Sequence, residues 1–93
     1  MLLLLVKRIS NSLKFNWNTM TSISHSTSIT KTSVTFSSAF STKVFGIVLS
    51  NPPTTNHYGH QSNLTKSGFE LHTSRISGGT ALDFDYYSFA YGA

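Results

Sequence analysis

The segment 81–91 constrains the fold of this chain most strongly, because it carries apolar and aromatic side chains at both odd and even positions. In an extended strand, successive side chains point to opposite faces. One face would carry Leu82, Phe84 and Tyr86, and the other would carry Tyr87, Phe89 and Tyr91. A strand that is apolar on both faces has to be covered on both, either by a second sheet or by neighbouring subunits. The segment therefore predicts a central strand in a layered β-structure.

Several other segments show the two-residue period of half-buried strands, with turn residues between them. Each predicted strand directs its apolar side chains inward: Leu13, Phe15 and Trp17 in segment 13–18, Val34 and Phe36 in segment 32–36, and Phe69 and Leu71 in segment 69–76. A shorter strand is predicted at 64–66. No window shows the helical period of about 3.6 residues. The sequence therefore predicts an all-β fold, a small antiparallel β-sandwich.

The segment 43–50 is the most apolar strand of the chain, and its run from Val44 to Leu49 is interrupted only by Gly46. Such a run is typical of a strand covered on both faces. We expect Gly46 to mark either a bulge or the close approach of another backbone. Asn51-Pro52-Pro53 ends the strand, and residues 54–63 are predicted to form a loop.

The composition excludes several functional classes. Seven basic residues are scattered among 93, and with three acidic residues they give a formal net charge of +4. Nucleic-acid-binding proteins concentrate their positive charge on one face or helix, so no nucleic-acid partner is expected. The chain has no cysteine, which excludes disulfides. Ser and Thr make up nearly a third of it, which favours strands with polar outer faces.

The first residues do not form a targeting or membrane segment. Five apolar residues, 2–6, precede Lys7 and Arg8. A signal peptide has its positive charge before a longer apolar stretch, and a membrane helix needs about twenty apolar residues. We therefore expect no membrane insertion. The run is interpreted as a buried strand, as part of a helix shared between chains, or as a consequence of where the chain starts.

No catalytic, metal or cofactor site is predicted. His57 and His60 have a chelating spacing, but structural zinc needs four ligands and the chain offers no obvious further pair. Asp83 and Asp85 lie on one face of a strand beside aromatic residues, without a distant partner. There is no Gly-x-Ser-x-Gly motif and no glycine-rich phosphate loop. The chain is therefore predicted not to be an enzyme.

The segment 54–63 is the candidate for recognition of a glycan. Aromatic rings stack on the apolar faces of sugars, and planar amides bond their hydroxyl groups. Exposed loops carry function more often than strands do. The predicted contact residues are Asn56, His57, Tyr58, His60 and Gln61. A surface loop without a special role explains the same segment equally well.

Residues 11–93 resemble the C-terminal tip domain of bacteriophage tail fibres. The resemblance rests on six motifs in order: the strand 11–18 ending near Trp17, Val34-Thr35-Phe36 with Ala39-Phe40, the apolar strand 44–49, Gly68-Phe69-Glu70-Leu71, the loop 77–80, and the aromatic-rich ending 86–93. Ser88 departs from the pattern, because the family commonly has tryptophan there. Residues 1–10 are interpreted as an N-terminal extension or shaft junction.

The resemblance implies a β-sandwich that forms a homotrimer at the distal end of a virion tail fibre. Its partners would be a bacterial surface glycan or outer-surface protein, together with other virion fibre or baseplate proteins, and its location would be extracellular. The aromatic residues predicted to lie in the trimer interface or the core are Trp17, Phe84, Tyr86, Tyr87, Phe89 and Tyr91. Two alternatives remain: a structural trimerisation or capping domain without receptor contact and, more distantly, a cellular lectin-like module.

Overall fold

The computed structural model describes residues 13–93, which form six β-strands and no helix. The strands are β1 (Lys14–Ile23), β2 (Thr30–Thr35), β3 (Val44–Leu49), β4 (His57–Ser62), β5 (Gly68–Arg75) and β6 (Phe84–Gly92). Accordingly, these residues contain no helix that is long and apolar enough to cross a membrane. The predicted extension 1–10 and the first two residues of the predicted domain lie outside the described residues.

The strands form two antiparallel three-stranded sheets, which confirms the predicted all-β architecture. The first, the β6 sheet, has the order β1-β6-β3, and the second, the β5 sheet, has the order β2-β5-β4. In both sheets the central strand is flanked by two edge strands. The prediction that segment 81–91 supplies a central strand is therefore confirmed for the part that forms β6.

The register of β3 against β6 explains Gly46. Val44 pairs with Gly92 and Gly46 pairs with Tyr91, so β3 carries an extra residue and the predicted bulge is confirmed. The close neighbour is the Tyr91 side chain and not a backbone, because a Cβ at Gly46 would lie 2.6 Å from the Tyr91 hydroxyl oxygen. Only one face of β3 is covered among the described residues, since Val48 is 62% exposed.

Two boundaries differ from the sequence prediction. The predicted loop 54–63 contains β4, which pairs with β5 from His57–Arg75 to Ser62–Glu70. The predicted strand 64–66 lies instead in the connection between β4 and β5. This connection starts at Asn63, which adopts a left-handed backbone conformation with φ of 52°. Asn tolerates that conformation better than most residues, because its short side chain bonds locally.

The core lies between the two sheets. Its buried apolar residues are Met20, Tyr86 and Ala90 from the β6 sheet, and Phe36, Phe40, Phe69 and Leu71 from the β5 sheet and the connections. Phe36 thus lies inward as predicted, and Val34 packs against the cluster. Tyr86 is completely buried, and Gly59 of β4 lies directly against its ring.

The orientation of β1 is the opposite of the predicted one. Asn16 points into the domain and is 2% exposed, whereas Phe15 is 50% and Trp17 is 74% exposed. The Asn16 amide donates from Nδ2 to the Ser38 carbonyl oxygen at 2.9 Å, and its Oδ1 accepts from the Ser38 amide nitrogen at 3.4 Å. Asn16 therefore fixes the connection between β2 and β3, and the aromatic residues of β1 turn outward.

The departure at Ser88 does not interrupt the last strand. Ser88 lies inside β6, pairs with Asn18 on one side and Leu49 on the other, and is 2% exposed. Its face is the inner one, where the two sheets approach each other. A small residue therefore stands at a position that is closed off from solvent.

Candidate functional site

The outer face of the β6 sheet is covered with aromatic side chains. We call this surface the aromatic face; it consists of Phe15, Trp17, Val48, Tyr87, Phe89 and Tyr91, which alternate with the inward residues of β1, β3 and β6. Phe15, Trp17, Val48 and Tyr87 are all exposed. Exposed apolar surface of this kind marks an interaction site more often than single scattered apolar residues do.

The aromatic face is organised around Phe89. Its ring centroid lies 4.4 Å from that of Trp17, 5.2 Å from that of Phe15 and 6.1 Å from that of Tyr91. Trp17 is the register partner of Phe89, and Phe15 is that of Tyr91, so the contacts follow directly from strand pairing. The rings form one continuous layer that no described element covers.

The predicted core or interface residues divide between the two faces of the β6 sheet. Trp17, Tyr87, Phe89 and Tyr91 lie on the aromatic face, and the expectation that Trp17 lies in the core is wrong. Tyr86 lies on the inner face and is completely buried, and Phe84 packs beside it against the core. Whether the aromatic face contacts neighbouring subunits stays a prediction.

The outer face of the β5 sheet is polar. We call it the polar face; it consists of Lys31 of β2, Tyr58 and His60 of β4, and Glu70 and His72 of β5. His60 and His72 are register partners, and their ring centroids lie 5.1 Å apart. Tyr58 is 49% exposed and lies towards the other end of the strand pair from Glu70.

Glu70 is held through one of its two carboxylate oxygens. Its Oε1 accepts from His72 Nε2 at 3.2 Å and from Asn63 Nδ2 at 2.5 Å. These hydrogen bonds, the one from His72 first, lower the pKa of Glu70 below its usual 4.5. No residue in the range 13–93 donates to Oε2. Glu70 is therefore an ionised group with a fixed orientation and a free acceptor oxygen.

A cleft of about 250 Å³ opens beside Glu70, where the β4–β5 connection approaches the end of β2. Its polar lining comes from Thr35, Asn63, Thr65, Ser67 and Glu70, and Val34, Gly68 and Phe69 complete it. Thr65 Oγ1 donates to the Gly68 carbonyl oxygen at 3.2 Å and accepts from the Ser67 amide nitrogen, also at 3.2 Å. The connection is thus internally bonded and keeps the shape of the cleft.

The predicted glycan residues are not equally accessible. Asn56, Tyr58, His60 and Gln61 are exposed. Tyr58 also lines a second cleft of about 230 Å³ together with residues of the β3–β4 connection, namely Asn51, Pro52, Thr54 and Thr55. His57 is 4% exposed, and its ring nitrogens are engaged with Thr54 Oγ1 at 2.6 Å and with the Thr80 carbonyl oxygen at 2.8 Å. Contact with a glycan therefore stays a prediction for the exposed residues Asn56, Tyr58, His60 and Gln61, whereas His57 is buried.

His57 and His60 leave β4 on opposite faces of the β5 sheet, because they lie three positions apart along the strand and successive side chains alternate between faces. They do not converge on one point. Within residues 13–93, no group of three His, Cys, Asp or Glu residues has an arrangement that would hold a metal ion.

His25 forms a buried polar cluster that the sequence did not reveal. It is 3% exposed, its Nδ1 lies 3.1 Å from the Leu82 carbonyl oxygen, and its Nε2 lies 2.7 Å from the Tyr86 hydroxyl. A carbonyl oxygen only accepts, so Nδ1 carries the proton, and in the neutral imidazole the Tyr86 hydroxyl donates to Nε2. Burial raises the pKa of Tyr86 to about 12. The cluster joins the β1–β2 connection and the β5–β6 connection to strand β6, and it is structural.

Comparison with solved structures finds the same fold. The two-sheet architecture is similar to that of domains in two tail-fibre structures. One similar structure is an N-truncated R1-type pyocin tail fibre, with a TM-score of 0.72 and 19% identity over 87% of this chain and 71% of that chain. Another is a longer C-terminal piece of the R1 pyocin fibre of P. aeruginosa, with the same TM-score and identity over 87% of this chain and 23% of that chain. No protein-family model and no curated protein matches.

Proposed function

We propose that this chain is a tail-fibre tip domain that assembles as a homotrimer and attaches a virion to a bacterial surface. The observation that carries this proposal is the contrast between the outer faces of the two sheets. The outer face of the β6 sheet is aromatic, and no described element covers it. The outer face of the β5 sheet is polar and carries a cleft lined by Glu70. The first face suits self-association, and the second suits recognition of a surface glycan or protein. The fold shared with pyocin tail fibres supports the same role.

Self-association is supported by the chemistry of the aromatic face. Trp, Tyr and Phe are enriched in the buried centre of protein interfaces, and the best-packed aromatic residues carry most of the binding energy. Trp17 is 74% exposed and lies against Phe89 at the centre of the layer. Such a side chain gains most from being covered by another subunit. In a homotrimer, the three copies of the aromatic face would be covered together.

Solution mass tests the assembly. Light scattering of the full chain should give about 31 kDa, three times the 10.2 kDa mass of one chain. Trp17→Ala should lower this mass or make it concentration-dependent, because it removes the most exposed ring of the aromatic face. Tyr58→Ala is the matched control, since Tyr58 is an exposed ring on the polar face. A wild-type chain that is monomeric at every concentration would overturn the assembly proposal.

Adsorption tests the receptor role. The labelled full chain should bind to cells of some bacterial strains and not to others, and it should protect the bound strains from the virion that carries it. Three weak contacts on one trimer would raise the apparent affinity without a tighter individual site. A folded trimer that adsorbs to none of the strains would favour the second candidate, a structural trimerisation or capping domain. The uncovered aromatic face supports this candidate too, because it needs no receptor.

A further inference from the structure

We propose that the polar face holds a neutral, hydroxyl-rich oligosaccharide, with one sugar ring in the cleft beside Glu70 and the following rings along β4 and β5 towards Tyr58. This inference rests on the proposed function and assigns the receptor contact to a face and a class of ligand. The proposed receptor contact is therefore centred on Glu70 and its cleft, which the sequence did not single out, and not on the segment 54–63.

Glu70 is the anchor of the proposed site. Its Oε1 is occupied by Asn63 and His72, so the carboxylate cannot rotate without losing both hydrogen bonds. Its Oε2 has no donor within the described residues, and Glu70 lines the cleft. A preoriented, ionised carboxylate oxygen is a strong acceptor for a hydroxyl group, because hydrogen bonds to charged groups are about twice as strong as neutral ones.

The cleft beside Glu70 has the size and lining for one sugar ring. Its volume of about 250 Å³ is below the roughly 300–1,000 Å³ of pockets for drug-sized ligands. Thr35, Thr65 and Ser67 bring hydroxyl-bearing side chains to its lining. A sugar ring presents hydroxyl groups along its edge, and these side chains can bond them.

The polar face continues the site beyond the cleft. Successive outward residues of a strand are about 6.8 Å apart, so the rows 70–72–74 and 62–60–58 extend for about 14 Å. The rings of His60 and His72 lie in the middle of this path, 5.1 Å apart. Tyr58 lies at the far end and presents an exposed ring for stacking on a sugar. The face therefore accommodates a linear chain of two to three sugars, by this spacing.

Charge selects a neutral ligand. Among the described residues that line the cleft, only Glu70 is ionised, and the one basic side chain of residues 13–93 bonded to it is His72. The charge of Lys31 also lowers the pKa of Glu70, but Lys31 lies across the strand pair opposite His72, outside the cleft. An acidic sugar in the cleft would meet an ionised carboxylate at close range, which costs free energy in a partly desolvated site. Neutral hydroxyl groups gain from the same carboxylate.

Saturation-transfer NMR on the full chain tests this site with defined probes. The neutral probes are maltotriose, chitotriose and a mannotriose, and the acidic probe is trigalacturonic acid. At least one neutral probe should bind, and Glu70→Gln should weaken it about ten-fold or more, because the free acceptor oxygen becomes an N–H donor. Tyr58→Leu should weaken it less, since it removes stacking alone. The matched control is Asp83→Asn, which changes an exposed carboxylate outside the cleft.

The outcomes separate this inference from the proposed function. Circular dichroism and light scattering first establish that each variant keeps its fold and mass. If no neutral probe binds, if the acidic probe binds best, or if Glu70→Gln binds as the wild type does, the site is wrong. In that case wild-type adsorption to cells still supports the attachment function. If the wild-type chain binds a neutral probe at Glu70 but never adsorbs to cells, the attachment function fails and the sugar site stands.

Discussion

Gly59→Ala is expected to destabilise the domain strongly, although it adds only one methyl group. A Cβ at Gly59 would lie 2.5 Å from the hydroxyl oxygen and 2.6 Å from Cζ of Tyr86. Tyr86 is completely buried, and its hydroxyl donates to His25 Nε2 at 2.7 Å. The ring cannot move towards solvent, because the domain surrounds it on all sides. Relief of the contact therefore requires the loss of the hydrogen bond or a separation of the two sheets.

The magnitude follows from these two contributions. Overpacking a core costs about 1–3 kcal/mol, and leaving a buried hydrogen-bonding group without its partner costs about 1–3 kcal/mol more. The lower flexibility of alanine in the unfolded chain returns about 0.4–1 kcal/mol. The net expectation is a loss of about 3 kcal/mol in the free energy of unfolding. For a domain of this size, this corresponds to a decrease in Tm of roughly 12–24 °C.

Thermal unfolding by circular dichroism measures this effect, with all variants at one protein concentration because assembly also contributes to Tm. Gly79→Ala is the matched control, since its nearest heavy atom would be the Ile76 carbonyl oxygen at 3.3 Å. In a Tyr86→Leu background, Gly59→Ala should cost much less, because the ring that it meets is gone. If Gly59→Ala alone unfolds within 3 °C of the wild type, the packing argument is refuted.

Three further results are expected. Asn16→Ala should lower the free energy of unfolding in urea by about 1–3 kcal/mol, because it removes two hydrogen bonds to the Ser38 backbone, whereas Lys14→Ala should stay within about 0.5 kcal/mol of the wild type. The pKa of Tyr86 is about 12 in the folded chain and about 10 in the unfolded chain. Its contribution to the free energy of unfolding is therefore complete below pH 10 and is lost between pH 10 and 12. Tyr86→Phe should remove this part of the decrease in stability at alkaline pH. The pKa of Glu70 is lowered in the folded chain, so its contribution to the free energy of unfolding is present above the usual pKa of 4.5 and is lost as the pH falls through the lowered pKa. NMR titration should show that the pKa of Glu70 rises in His72→Ala.

The face of β1 that would be buried was not predictable from hydrophobicity. The alternation in 13–18 correctly located a strand, but a strand has two faces and the pattern does not say which one meets the second sheet. The rule that apolar residues face inward selected Trp17, whereas the structure buries Asn16. Asn16 is stable there because its amide meets the backbone groups of Ser38, which lies 22 residues away. A match of this kind depends on the tertiary fold and leaves no local signal.

The candidate site was predicted only in part, for a similar reason. Tyr58 and His60 are predicted as recognition residues of a loop, because Asn51-Pro52-Pro53 ends the preceding strand and the segment combines aromatic rings with planar amides. The segment is a strand whose pairing with β5 uses backbone groups, which the side-chain pattern does not report. Glu70 was interpreted as the polar position of a half-buried strand, which it is. Its importance arises from Asn63 and His72, and only the register brings them together.

The position of β6 between β1 and β3 has a consequence for the order of folding. β1 pairs with a strand that lies about 70 residues further along the chain, as in the pair Trp17–Phe89. By contrast, β4 and β5 are joined by the short connection 63–67 and form a hairpin. Because closing a long loop costs more chain entropy than closing a short one, the β4–β5 hairpin should form early and the β6 sheet late. During synthesis, Phe15 and Trp17 therefore have no strand partner until β6 has been synthesised.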